Sequence, residues 1–324
     1  MTAPVQAGDR YEPDALQALA DPTPSPHCPR LLDRFTTPCR GSPDEHICLV
    51  MPLYGGDVKA LRKAEDAPFA LPLAKRILLH LVRALVHAHS RNVIHTDIKK
   101  DNIFFTTSLS SADIERLLAE DPSRYHPPEN SLEGQVQPAV SQPLPVISRD
   151  DALRATFLLA DFGLSQPVLL HPPCTITAAP LRAPEVFLGA HWDAPADIWS
   201  LGVLAYDLIT SHGLFKYQVN SKWDLTEDEN MLYQMMCLTG EDFEPPQLQA
   251  SPLAPEFFTT QCELKKKPQL VHFLFDNSVP AYGNVDKAVV PAIASFLRRC
   301  LRLDPHKRAT AQDLLSDPLF ADVP

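Results

Sequence analysis

Apolar positions along the chain change period several times, and each change marks an element. "HICLVM" (46–51) is a short apolar run rich in strand formers, with "RGSPDE" before it and "PLYGG" after it. It predicts a buried strand that ends in a turn. "PRLLDRF" (29–35) reads as its partner strand. From Leu73 to His89 the period is helical: Ile77, Leu78, Leu81, Val82 and Leu85 share one face, with Lys75, Arg76 and Arg83 off it. "TFLLADFG" (156–163) predicts another strand running into a turn. "PADIWSLGVLAYDLIT" (195–210) is apolar on almost every side and predicts a helix buried all round. "ENMLYQMMCL" (229–238) and "VVPAIASFLRRCLRL" (289–303) predict further helices. A last helix starts near Thr310, which stands three residues before Asp313 in capping-box spacing. A few strands come first and a helical mass follows, which is an α+β pattern.

Between these elements, residues 106–154 are polar and Pro-rich. One amphipathic helix, "SADIERLLAE" (111–120), is predicted there, and the remainder reads as mobile loop. The 33 prolines gather in loops such as "DPTPSPHCP" (21–29), "HPPEN" (126–130) and "HPP" (171–173). With 45% hydrophobic and 21% charged residues, the chain of 324 residues has an ordinary globular composition. No apolar run approaches membrane-spanning length, and the first 30 residues show no basic-then-apolar signal pattern. Cys28, Cys39, Cys48, Cys174, Cys237, Cys262 and Cys300 are scattered, with no CxxC or Cys/His cluster for zinc. Reduced thiols in a cytoplasmic or nuclear protein are expected. A formal charge of −11 argues against nucleic acid as a direct partner and would suit a basic substrate, although it also serves solubility.

The chemistry is carried by "VIHTDIKKDN" (93–102) and "DFG" (161–163). Transfer of a γ-phosphoryl group is mostly positioning and charge stabilisation. Asp97 can orient or deprotonate a hydroxyl, and Lys99 can reach the transferring phosphate. Asn102 can give a neutral oxygen to magnesium, and Asp161 a hard carboxylate. In this order, and followed by "LRAPEVFLG" (181–189) and "ADIWSLG" (196–202), these pieces are specific. The chain resembles the eukaryotic protein kinases over roughly residues 11–320. "HICLVM", "IHTDIK", "PADIWS", "EFFTTQCELK" (256–265) and "PHKRATAQDLLSDPLF" (305–320) are similar to the SR-protein kinases of fungal type, which phosphorylate serines in Arg/Ser-rich splicing factors.

That resemblance implies a two-lobe fold, with a partial small lobe over residues 1–54 and a large helical lobe over 55–324. The large lobe would carry the Pro-rich insert at about 106–154 and a helical insert at about 240–285. It implies ATP and Mg2+, with Asp97 as catalytic base, Lys99 on the phosphate, and Asn102 and Asp161 as magnesium ligands. Met51 to Tyr54 would be the hinge, with Met51 and Leu53 on the adenine and Phe104 beneath it. Pro52 has no N–H, but Leu53 can still donate. Glu185 would pair with Arg308, Asp197 would hold the catalytic loop by its amides, and His95 would stack on Phe162. A protein substrate of the Arg/Ser-rich kind, a monomeric state and no membrane partner are implied as well. No Arg sits beside Asp97, because Thr96 takes that place, so Thr175 and Thr177 are not expected to be obligatory phosphosites.

Several departures bear on activity. The first Lys of the chain is Lys59, and only Gly8 precedes Gly41, so neither a strand-borne phosphate Lys nor a G-x-G-x-x-G loop is found upstream. Glu12, in "YEPDALQAL" (11–19), is the best match to the partner of that Lys, with Leu16 four residues on and Pro13 confined to the first helical turn. Losing one preorganised donor at a charge-developing site costs about 10²–10³ in rate. The expectation is an N-terminally incomplete kinase or, as the alternative, a catalytically inactive kinase-fold binding module. Lys100 stands where Pro is usual, and Ala178 where the subfamily has Thr, with Thr177 one residue away. Met235, Met236 and Cys237 follow the acidic start of the helix expected to line a basic-substrate groove. His87 and His89 are assigned surface or packing roles, "HPPC" (171–174) reads as loop, and "LKKKP" (264–268) as a solvated patch.

Overall fold

A computed structural model describes residues 11–38, 45–64, 68–131, 134–168, 175–282 and 285–323. Gly8, Gly41, Cys39, Cys174 and the "HPPC" segment lie outside the described residues. Helix α1 (Tyr11–Ala20) comes first and buries Pro13, Ala15, Leu16 and Leu19. Strands β1 (Asp33–Pro38) and β2 (Glu45–Val50) then pair antiparallel, with Phe35 opposite Cys48. The prediction of a buried strand at 46–51 is corrected here. All of β1 is exposed and β2 is at best half-buried. Among the described residues β2 pairs only with β1, and only its Leu49 is half-buried against the core.

After the crossing segment, β3 (Tyr54–Asp57) leads into α2 (Val58–Ala64) and then α3 (Leu71–His89). The helix starts two residues earlier than its apolar period suggests, because Pro72 sits in the first turn, where its missing N–H costs nothing. Strand β4 (Val93–Ile94) and β5 (Ile103–Thr106) flank the catalytic loop. The insert holds α4 (Ser111–Glu120), where Ser110 and Asp113 form a reciprocal capping box. It is more ordered than a bare loop: β6 (Glu129–Ser131) pairs with β7 (Gly134–Val136), and α5 (Arg149–Ala152) follows. Strand β8 (Phe157–Leu159) joins β5, which pairs with β3, to make a three-stranded sheet in the order β3-β5-β8. Gly55 is required in this sheet, since a Cβ there would lie 2.7 Å from the Phe105 ring. Strand β9 (Gln166–Pro167) pairs with β4.

The helical mass follows. Helix α6 (Pro184–Phe187) precedes α7 (Pro195–Thr210), which is buried along nearly its whole length. Helix α8 (Glu227–Thr239) opens on a Thr226–Glu229 capping box and closes at Gly240, whose φ of 72° is a left-handed conformation suited to glycine. Helices α9 (Pro245–Gln249), α10 (Ala254–Phe257) and α11 (Phe275–Tyr282) occupy the second insert, and α12 (Val290–Cys300) and α13 (Ala311–Leu314) complete the chain. Trp199 of α7 is fully buried and stacks on Phe215 at 5.8 Å. Met235, Met236 and Cys237 are buried, and of the three Met236 lines a cleft beside Glu241, Glu244 and Glu263. No described helix is long and apolar enough to cross a membrane. Cys28, Cys48, Cys237, Cys262 and Cys300 are free thiols.

Candidate active site

The loop between β4 and β5 is fixed from below by α7. Asp197, in the first turn of that helix, is 1% exposed. Its Oδ2 accepts the His95 N–H at 2.8 Å, and its Oδ1 accepts the Thr96 N–H at 2.9 Å. His89 adds a third contact through Nε2, 2.9 Å from Oδ2. Burial alone would push the Asp197 pKa up, but the His89 hydrogen bond and charge, with His95 behind them, hold it below the usual carboxylate range. Thr96 adopts φ 67°, which is strained for a β-branched residue. Three hydrogen bonds hold it there. Besides its own N–H to Asp197, its hydroxyl donates to the Leu164 carbonyl at 2.8 Å, and its carbonyl accepts from the Thr177 hydroxyl at 2.6 Å.

His95 is fully buried, and burial pushes its pKa down, so the ring is neutral. Its Nδ1 lies 3.2 Å from the Asp97 N–H and must accept, which leaves Nε2 to donate to the Ala160 carbonyl at 2.9 Å. The ring also meets Phe162 edge-on at 4.8 Å. One imidazole thus links the catalytic loop to the strand that delivers the DFG turn.

Asp97 is 6% exposed. Its Oδ2 is in direct contact with Lys99 Nζ and accepts from Asn102 Nδ2 at 2.9 Å. Asn102 Nδ2 also donates to the Asp97 carbonyl at 2.9 Å, and the Asn102 carbonyl accepts the Ala160 N–H at 2.8 Å. These bonds orient the amide so that Asn102 Oδ1 is the atom left for a cation. Asp161 turns the chain with φ 64° and is exposed, with Oδ1 accepting the Gly163 N–H at 3.4 Å. An amide oxygen and a hard carboxylate are the donor types magnesium takes, so this pair fits that ion. Among the described residues no group of three or more His, Cys, Asp or Glu forms a separate metal cluster.

The upper side is different. Glu12 of α1 is half-buried and comes close to the DFG turn, its Oε2 lying 3.7 Å from where a Cβ on Gly163 would sit. Burial, and then the Asp161 charge, push its pKa up. No described Lys or Arg pairs with it. Met51 and Leu53 are exposed at 39% and 52%, and Phe104 is half-buried with its ring 5.9 Å from Tyr54. The residues present therefore fit magnesium and the terminal phosphate from below, and they offer no described cation beside Glu12. Glu185 and Arg308 meet away from the loop, in a bidentate pair with both bonds at 2.6 Å.

Three residues near the loop do more than their sequence suggested. His89, assigned to packing, bonds Asp197; its one signal is a place in the last turn of the helix that feeds the loop. Lys100 pairs with Asp207 of α7 at 2.6 Å, an extra tie between loop and helix. Thr177, displaced by one position, spends its hydroxyl on the Thr96 carbonyl. The "LKKKP" patch is partly engaged, since Lys266 lies 3.0 Å from Glu229.

A buried helix anchoring a loop with this Asp, Lys and Asn, beside a DFG turn, is the arrangement of the protein kinase class. The protein kinase domain family matches residues 14–121 and 145–320, and the chain belongs to that family. The fold is its two-lobed α+β arrangement. The chain is 27% identical to the serine/threonine-protein kinase SRPK of Physarum polycephalum, over 95% of this chain and 75% of that protein. It is 25% identical to the probable serine/threonine-protein kinase clkA of Dictyostelium discoideum, over 92% of this chain and 29% of that protein. It is 24% identical to the dual specificity protein kinase lkh1 of Schizosaccharomyces pombe, over 94% of this chain and 40% of that protein. The chain thus spans well under half the length of the last two.

Proposed function

We propose that this chain is a serine/threonine protein kinase of the SR-protein kinase type, transferring the γ-phosphoryl group of magnesium-bound ATP to serines in Arg/Ser-rich proteins. The observation that carries the reading is the closed network of Asp97, Lys99 and Asn102 on a loop anchored by Asp197. Oδ2 of Asp97 is occupied by Lys99 and Asn102, so Oδ1 is the atom that orients the acceptor hydroxyl and takes its proton. Lys99 neutralises Asp97 and faces the transferring phosphate. Asn102 Oδ1 and Asp161 would hold magnesium, which supplies charge neutralisation across the phosphates. Met51, Leu53 and Phe104 form the adenine side. The likeness to a protein named SRPK and the −11 charge support an Arg-rich substrate. We place the chain in the cytoplasm or nucleus, as a monomer.

A second reading rests on Glu12. A half-buried carboxylate beside Asp161, with no described cation next to it, is the arrangement of a non-catalytic kinase-fold module. Nucleotide separates the two. Ligand at about 100 times its Kd stabilises a protein by about 2.7 kcal/mol. The kinase reading requires a rise in melting temperature with millimolar ATP and Mg2+, lost in Asp161→Asn, together with phosphate transfer to an Arg/Ser peptide, lost in Asp97→Asn. No thermal shift and no transfer leaves the binding module.

A further inference from the structure

A cleft that phosphotransfer does not use lies between the segment carrying α6 and the second insert. Residues 185–195 form one wall, residues 243–251 the other, and residues 303–306 close the end; the volume is about 550 Å³. The floor is apolar, since Leu188, Trp192, Phe243 and Leu303 are each no more than 5% exposed. Phe243 is braced from behind by the Phe258 ring at 5.0 Å. The Leu253 N–H donates to the Leu188 carbonyl at 3.0 Å, so the two walls are tied and the cleft is preformed.

Carboxylates stand on the rim, beside the imidazoles of His191 and His306. Asp193, Glu244 and Asp304 line it, and no Lys or Arg does. Lys307 reaches Glu244 from outside at 2.5 Å and lies 3.8 Å from Asp304. Asp193 accepts the Ala194 N–H at 2.6 Å, and no described Lys or Arg pairs with it. A preformed apolar concavity with a few convergent polar groups is the usual form of a binding site. An apolar floor under a carboxylate without a cation calls for a ligand with a large apolar side chain next to a cation.

We propose that this cleft docks an extended peptide, which inserts one large apolar side chain over Trp192 and Phe243 and sets a neighbouring Arg or Lys beside Asp193. Glu185 forms part of the same cleft, 5% exposed and paired with Arg308. A docked peptide therefore rests on the ion pair that fixes the segment after the DFG turn. The proposal goes beyond the phosphotransfer reading and is independent of it, because docking is read without nucleotide.

The test uses the full chain and a fluorescein-labelled octapeptide with one Phe flanked by arginines, followed by fluorescence anisotropy. Saturable binding is expected. It should weaken at least about tenfold when the Phe is replaced by Ala, and about tenfold when the arginines are replaced by Glu. Ala250→Trp, which fills the cleft from an exposed position on its rim, should weaken it about tenfold as well. Asp193→Asn keeps the acceptor for the Ala194 N–H and should weaken binding about threefold, while Asp193→Lys should favour the Glu peptide. Absence of saturable binding up to about 1 mM overturns the proposal. So does equal binding of the Arg and Glu peptides, which would describe a merely apolar cleft. Binding unchanged in both Ala250→Trp and Asp193→Asn places the peptide elsewhere and overturns it too.

Discussion

Replacing Arg308 by methionine tests whether the buried Glu185–Arg308 pair holds the segment after the DFG turn onto α7. The guanidinium bonds both Glu185 oxygens at 2.6 Å, donates to the Pro195 and Arg302 carbonyls at 2.9 Å, and lies 5.1 Å over the Trp199 ring. The two side chains are 0% and 5% exposed. Removing one partner of such a pair costs about 3–5 kcal/mol, because the remaining charge is buried without compensation. At about 2–4 °C per kcal/mol for a domain of this order of size, the melting temperature falls by roughly 10 °C. In Glu185→Gln the stranded group is the buried guanidinium, and a loss of the same order is expected. The double variant recovers part of the loss, because no charge is then buried alone. Melting temperatures of the four proteins decide the matter. A deficit below about 1 kcal/mol in Arg308→Met, or no recovery in the double variant, refutes the reasoning.

Three further perturbations follow from the packing. His80 Nδ1 accepts the Phe157 N–H at 3.1 Å, and burial, with His27 at 4.3 Å, pushes its pKa down to about 3. The unfolded chain takes up a proton below about pH 6.5 and the folded one does not, so this stability is present above that pH and lost below it, by about 2 kcal/mol at pH 5. His80→Asn keeps an acceptor and should flatten the acid limb of a melting-temperature profile, whereas an unchanged limb would assign it to other groups. Gly202→Ala on α7 places a Cβ 2.7 Å from Cys300 Cβ and 2.8 Å from Leu301 Cγ, so it should cost about 1–3 kcal/mol in urea unfolding despite the better helix propensity of Ala. A gain in stability would contradict the close α7–α12 approach. His89→Ala should cost about 1–3 kcal/mol and speed amide exchange at His95 and Thr96, because Asp197 then keeps only its backbone partners. Unchanged exchange at those two amides would return His89 to a packing role.

The sequence by itself determined the elements whose signals are local. The 195–210 helix is written in a largely apolar run, α4 in the amphipathic pattern of residues 111–120, α13 in its Thr310–Asp313 cap, and the Asp97, Lys99 and Asn102 cluster in its close spacing. Those signals depend on residues within a few turns of one another, and the chain states them directly. The order in the Pro-rich insert was not legible, since β6 and β7 are too short to set a period. Exposure of the β1–β2 ribbon was not legible either, because apolar content says that a strand could be covered and not that anything covers it. Only the tertiary structure decided the supports of the site. His89 meets Asp197 across 108 residues of chain, and the Thr177 hydroxyl finds the Thr96 carbonyl across 81. A buried polar group must be satisfied by whatever the fold brings within about 3 Å, and that neighbour leaves no trace in local spacing. The same holds for Glu12: its place beside Asp161, with no described cation at hand, follows from where α1 packs.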